Sequence, residues 1–452
     1  MFEPTRTSPP GVLHASTITR AHRRLTAALD AAADAASGLD DAERIDTITA
    51  LEDLVRVATA AQAALSRELD ASQRVQQAAA GVPADLRGRG VAAQVALARK
   101  ESHHRGQRHL GLAKVIATEM PHLWAAWRRG TVTEHGATLA VRETACLEVE
   151  DRLEVDRLLA ATPDALDRLE QMSERQVAAL CRRHASRLDA AAVVKRQRRA
   201  HQERCVTIRP APDTMVHLTA VLPVADGVAA YAALTRAAAA ARAGGDGRSK
   251  GQVMADTLVE SVLADHQATT GTRVELGLVM TDRSVLGEAD DPARVDGYGP
   301  VPAELGREIL AGALARDEEV WLRRLYASPT TGELVAMDSR GRVFPTGLAR
   351  FIRLRDQVCR TPWCDAPIRQ TDHAHPAVDG GETSGHNGQG LCEACNHAKQ
   401  ASGWDARPSE DGSIETTTPT GHRHRTRPPP TTITVHETHA PPICIDFYVG
   451  AA

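Results

Sequence analysis

The chain has 452 residues, long enough for two or three domains that each bury a core. Its formal net charge of -4 gives no global basic signal for nucleic acid, so any such partner has to be met by local patches. Aromatic residues make up 3% of it, which leaves Ala, Leu and Val to build the cores and suits closely packed helices.

Residues 1–15 are Pro- and Ser-rich without periodicity and are expected to be disordered. They lack a basic stretch followed by an apolar one, and no run of about 18 apolar residues occurs anywhere, so a cytoplasmic protein without a membrane span is expected. From Ser16 to about Leu188 the pattern is helical, with Ile45, Ile48, Leu51, Leu54, Val55 and Ala61 close to a 3.6-residue period. His103, His104 and His109 have no Cys or carboxylate at ligand spacing and read as a solvated helix face. The run Lys195, Arg196, Arg198, Arg199 reads as an exposed helical face rather than a phosphate site.

At Cys205 the period changes. "CVTIRPAPDTMVHLTAVLP" predicts two strands around a "PAPD" turn, followed by a helix over about 225–243 and a second to about 265. "RVELGLVMTD" predicts a strand, "ADDPARVDGYGPVP" a loop, and the residues after Pro302 a helix. "VWLRRLYASPTTGELVAMDS" predicts a hairpin with Pro-Thr-Thr-Gly at its tip. Residues 16–345 are thus expected to form a mostly α domain with a small α+β part, and 405–452 a Thr/Pro/His-rich tail without a packed core.

Chemistry concentrates in residues 346–404. Of eight cysteines, Cys146, Cys181, Cys205 and Cys444 are scattered. Cys359 and Cys364 enclose four residues, Cys392 and Cys395 enclose two, and 27 residues separate the pairs. Two such knuckles in a reducing compartment predict a structural Zn²⁺ closed by four thiolates, which leaves no open position for chemistry. The insert carries Asp372, His373, His375, Gly380, Gly381, His386 and Asn387, and Asn396, His397 and Lys399 follow the last knuckle. Oxygen donors from Asp and Asn suit Mg²⁺ or Mn²⁺, and a neighbouring imidazole can act as a base near neutral pH. This is the equipment of single-metal phosphodiester hydrolysis.

Asp372-His373, Pro376, Gly380-Gly381, Asn387, Leu391-Cys392, Cys395-Asn396 and Lys399 together resemble the HNH endonucleases of the zinc-knuckle subclass. The resemblance covers roughly 50 residues and implies a C-terminal ββα-metal (HNH) module. It implies His373 as general base, Asp372 and Asn396 as ligands of the catalytic metal with His397 the alternate, and Asn387 as the residue holding the His373 segment in register. "WAAWRRGTVTEHGATLAVRET" and "TPTGHRHRTRPP" are similar to a bacterial domain of unknown function that precedes such modules in 13E12 repeat proteins. DNA, or another nucleic acid, is the implied partner, with Arg350, Arg353, Arg355, Arg360 and Lys399 expected on phosphates. A protein partner of the N-terminal domain is an open expectation. Two alternatives remain: a zinc-containing nucleic-acid-binding protein without catalysis, and a partner-dependent mobile-element or defence component.

Overall fold

In the computed structural model, which describes residues 14–35, 39–269, 274–315, 320–326, 344–430 and 443–451, the Ala-rich first part is an array of helices from Ala15 to Gln202. The long helix Asp41–Ala79 starts at a capping box, in which Asp40 accepts from the Glu43 amide and Glu43 accepts from that of Asp40. Its Ala60 and Ala63 let the helices that follow approach closely, and Ile116, Met120, Leu123, Trp127, Val155 and Leu159 fill the space between them. Cys181 belongs to this core, and burial pushes its thiol up to about 12, so it is an inert packing residue.

The chain then makes small antiparallel sheets. Cys205–Ala211 pairs with Met215–Val221 as expected, and the helices Val224–Ala243 and Lys250–Thr269 follow. A five-stranded sheet has the order Gly299–Val301, Ala293–Val295, Val274–Thr281, Ile443–Ala451, Val320–Tyr326. One expectation changes here. The segment read as a loop before Pro302 contains a short hairpin, Ala293–Val295 with Gly299–Val301. Val320–Tyr326 pairs with Ile443–Ala451, while the expected hairpin tip at 329–332 lies outside the described residues.

Residues 346–426 carry the elements around the cysteines. Helix Thr346–Asp356 leads into the first knuckle, Gln370–His373 pairs with Gly388–Leu391, and helix Glu393–Lys399 follows. A meander of Asp405–Pro408, Ile414–Thr417 and Arg423–Thr426 comes next. The expectation of a tail without a packed core is therefore corrected. Ala406 and Ile414 are buried against Ala374 beside the first strand of the module, and Ile443–Ala451 is an inner strand of the larger sheet. No helix among the described residues is long and apolar enough to cross a membrane.

The histidines of helix His103–Glu119 also differ from expectation. His104 is exposed, but His103 and His109 are buried. His109 is held by carboxylates remote in sequence, Nε2 2.7 Å from Glu101 and Nδ1 2.6 Å from Glu134, and Arg99 lies 3.3 Å from Glu134. Burial pushes the Glu134 carboxyl up, but hydrogen bonds and charge from His109 and Arg99 outweigh it and hold the group below its usual 4.5. A depressed carboxylate contributes stability that is complete above 4.5 and is lost as pH falls through the folded value. Glu134→Gln is expected to cost roughly 1–3 kcal/mol at neutral pH, with the deficit shrinking as pH falls below 4.5. Urea denaturation of both proteins across that range checks it.

Candidate metal centre and the adjoining polar site

Four buried thiols meet at one point. The sulfurs of Cys359, Cys364, Cys392 and Cys395 all lie within 4.8 Å of one another, with Cys364 3.9 Å from Cys392 and 3.6 Å from Cys395. Four ligands at about 2.3 Å from a tetrahedral zinc stand about 3.8 Å apart, so the cluster could hold a metal ion such as zinc. The backbone builds this cage. The Cys359 amide donates to Ala366 and the Cys364 amide to Thr361, closing the first knuckle. The second knuckle is a helix start: Cys392 is the N-cap of Glu393–Lys399 and its sulfur accepts from the Cys395 amide. The four thiols hydrogen-bond to one another, which holds Cys392 and Cys359 below the ordinary thiol range and pushes Cys364 and Cys395 above it.

Beside this cage, the strand Gln370–His373 and the helix Glu393–Lys399 meet through polar side chains. Gln370 and Asp372, two apart, share a strand face. Asn396 donates to the Gln370 side-chain oxygen, and Lys399, one helical turn on, lies 2.5 Å from the Asp372 carboxylate and also donates to the His373 carbonyl. The Asn396 Oδ1 atom is buried without a hydrogen-bond partner. His397 is exposed on the helix, its carbonyl accepting from Arg89. Of the two residues considered as ligands, Asn396 therefore faces Gln370 and His397 faces away.

His373 is buried, with Nε2 2.8 Å from the Thr383 hydroxyl and its ring 4.5 Å from that of Phe344. Burial lowers its pKa below 6.5, against the opposing pull of Asp372, so the neutral imidazole predominates at pH 7. Asn387 clamps the loop that follows. Its Oδ1 accepts from the His375 amide at 2.8 Å, and its Nδ2 donates to the His375 and Glu382 carbonyls at 2.9 Å each. The Gly-Gly pair fits that clamp: Gly380 has φ +92°, and a Cβ on Gly381 would collide with the His375 carbonyl. His375 turns to the Asp379 carbonyl, and His386 is exposed.

The arginines divide differently from expectation. Arg353 is exposed, but Arg355 and Arg360 are buried and both hold Asp356 Oδ1 at 2.7 Å. Arg355 also donates to the Gly385 and Gly388 carbonyls, and Arg360 to those of Gly412 and Thr426. Their donors are spent on the chain's own backbone, so the expectation that they contact phosphate is corrected. Arg350 is half-buried and engaged in an interaction of its own. Sequence reasoning passed over Asp356, Gln370 and Thr383. Asp356 had a signal, a carboxylate flanked by Arg at one and four residues' distance, whereas Gln370 and Thr383 had none.

A family model described as a domain of unknown function, DUF222, matches residues 46–356. No model of the HNH class or of the 13E12 repeat type matches the chain. Three relatives from Mycobacterium tuberculosis are uncharacterised. Rv3776 is 30% identical over a stretch covering 37% of this chain, and Rv2100 and MT2160 are each 31% identical over 29% of it. The chain spans 34% of the first relative's length and 22% of the other two. No solved structure matches.

Wild-type protein is expected to carry about one zinc per chain, and Cys392→Ser to lose it on dialysis and to become protease-sensitive over 357–404, read by elemental analysis and limited digestion. Asn387→Ala leaves two carbonyls and an amide unpaired and is expected to cost roughly 2–4 kcal/mol, read by denaturation of the zinc-loaded protein.

Proposed function

This chain belongs to the DUF222 family, and we propose that the module following the family domain is a metal-dependent HNH-type endonuclease that hydrolyses DNA phosphodiester bonds in the cytoplasm. The observation that carries this reading is that the strand bearing Asp372 and the buried His373 meets the helix bearing Asn396, whose Oδ1 is buried without a partner, through the Lys399–Asp372 and Asn396–Gln370 contacts. Asp372 and Asn396 offer hard oxygens, which fit Mg²⁺ or Mn²⁺. Lys399 engages Asp372 Oδ2 and leaves Oδ1 for such an ion. When bound, the ion would neutralise charge on the phosphate and on the leaving oxygen.

The remaining work falls to the chain's own side chains. Thr383 orients the His373 ring through Nε2, and Nδ1 forms no hydrogen bond among the described residues. His373 takes the proton of a water whose oxygen attacks phosphorus, and the bond from phosphorus to the leaving oxygen breaks. Burial keeps the imidazole neutral and able to accept that proton. Asn387 fixes the His373–His375 segment through its three hydrogen bonds. Lys399 is suited to a phosphate oxygen once Asp372 is shared with a metal, and exposed Arg353 to a flanking phosphate.

The test is supercoiled plasmid with the purified full chain and Mg²⁺ or Mn²⁺. Wild type is expected to nick, and His373→Ala to lose about 100- to 10,000-fold in rate while keeping its zinc. A variant that cuts as fast as wild type removes His373 from the mechanism. If neither protein cuts and both shift labelled DNA, the non-catalytic binding reading replaces this one.

A further inference from the structure

The helical domain holds a cavity of about 350 Å³ that shares no residue with the sites above. Its walls are Leu123, Val132, Leu159, Leu169 and Val177, all buried, so the space lies between helices rather than on the surface. Gly136 and Ala140, one turn apart on helix Glu134–Glu143, also face it and carry too little side chain to fill it. Pockets for small organic molecules run from roughly 300 to 1,000 Å³, and a dry cavity of about 150 Å³ already takes up benzene. An apolar space of this size is costly to leave empty, since its lining lacks contacts on one side.

The polar groups of the lining are few. Arg56 reaches the cavity from the long helix but is already held by Glu52 at 3.2 Å, Asp53 at 3.6 Å and the Gly130 carbonyl at 3.2 Å. Glu170 and Glu174, both exposed, mark the mouth. Among the described residues the Glu170 carboxylate has no ion pair or hydrogen bond, and that of Glu174 has exposed His135 at 3.6 Å. Counting the lining and the ion-pair partners of Arg56, one guanidinium stands against four carboxylates. Two helices begin here, at Glu134 and Glu174, and each already has that carboxylate in its first turn, so neither start favours an added anion. We infer that this cavity binds a small organic cation, an amine carried on an apolar ring or short chain. The apolar body enters between Leu123, Leu159 and Val177, and the ammonium group stays at the mouth with Glu170 and Glu174, where an anion would be repelled.

This inference does not rest on the nuclease reading, and its test uses no activity. Three compounds with one apolar body, phenylbutylamine, phenylbutanol and phenylbutyrate, are titrated into the zinc-loaded full chain by calorimetry at low salt. The amine is expected to bind with Kd below about 1 mM, and the carboxylate at least about tenfold more weakly. Ala140→Leu, which fills the cavity, is expected to abolish binding of amine and alcohol. The double variant Glu170→Gln, Glu174→Gln is expected to weaken the amine about 3- to 10-fold and to leave the alcohol unchanged. The methyl resonance of Met172, which lines the cavity, is expected to shift when the amine is added to wild type, and this decides the matter if Ala140→Leu fails to fold. An amine that binds no tighter than the carboxylate, an Ala140→Leu protein that folds and binds like wild type, a double variant of wild-type affinity, or an unmoved Met172 resonance overturns the inference.

Discussion

Closure of the four cysteines is the constraint on which the carboxy-terminal module depends. A helix of seven residues such as Glu393–Lys399 cannot stand alone in water. Here its first turn is fixed because Cys392 is both N-cap and cage member, and Cys395 sits one turn further in. Fixing the helix start fixes its phase. Asn396 and Lys399 then lie over Gln370 and Asp372, and His397 is turned to the outside. The thiol cage has no open position for chemistry, yet it decides which side chain of the Asn396-His397 pair can meet Asp372.

A second constraint joins this module to what precedes it. Asp356 is 1% exposed and receives three donors: Arg355 and Arg360 on Oδ1, and the Gly390 amide on Oδ2 at 2.7 Å. A buried carboxylate is tolerable only when so paired, and deleting one partner would leave an uncompensated charge. The family match ends at this same residue. The end of the match is thus a physical joint rather than a linker, since the last matched side chain grips the second strand of the module. Near an anionic substrate, counting arginines overstates the number that face it, because a compact module with few apolar residues also uses guanidinium groups as internal struts.

Legibility followed the range of the interactions involved. Cysteine spacing and the hairpin at Cys205 are local and were readable, whereas the order strand, strand, helix around Asn387 was expected only through resemblance. The roles of Asn387 and the Gly-Gly pair were readable only through resemblance, and their geometry is that of a loop clamp. His109 was misread because its partners Glu101 and Glu134 lie eight and twenty-five positions away and converge only through helix packing. The meander after Trp404 was missed because its strands are four residues each and bury little beyond Ala406 and Ile414, too little to set an alternating pattern. Ile443–Ala451 is apolar enough to be a strand, but its place inside a sheet begun at Val274 is a long-range fact.

The helical domain and the module are also in direct contact. Arg89 donates to the His397 carbonyl, and Thr420 of the meander donates to Gln94 at 3.0 Å. A cavity of about 30 Å³, water-sized, lies between His103, Gln389 and Trp404, and each of these carries a buried ring or amide nitrogen without a partner. Glu101 of the His109 network and Lys399 of the Asp372 ion pair line the same cavity. The helical domain thus contacts the helix Glu393–Lys399 directly, through Arg89 on the His397 carbonyl.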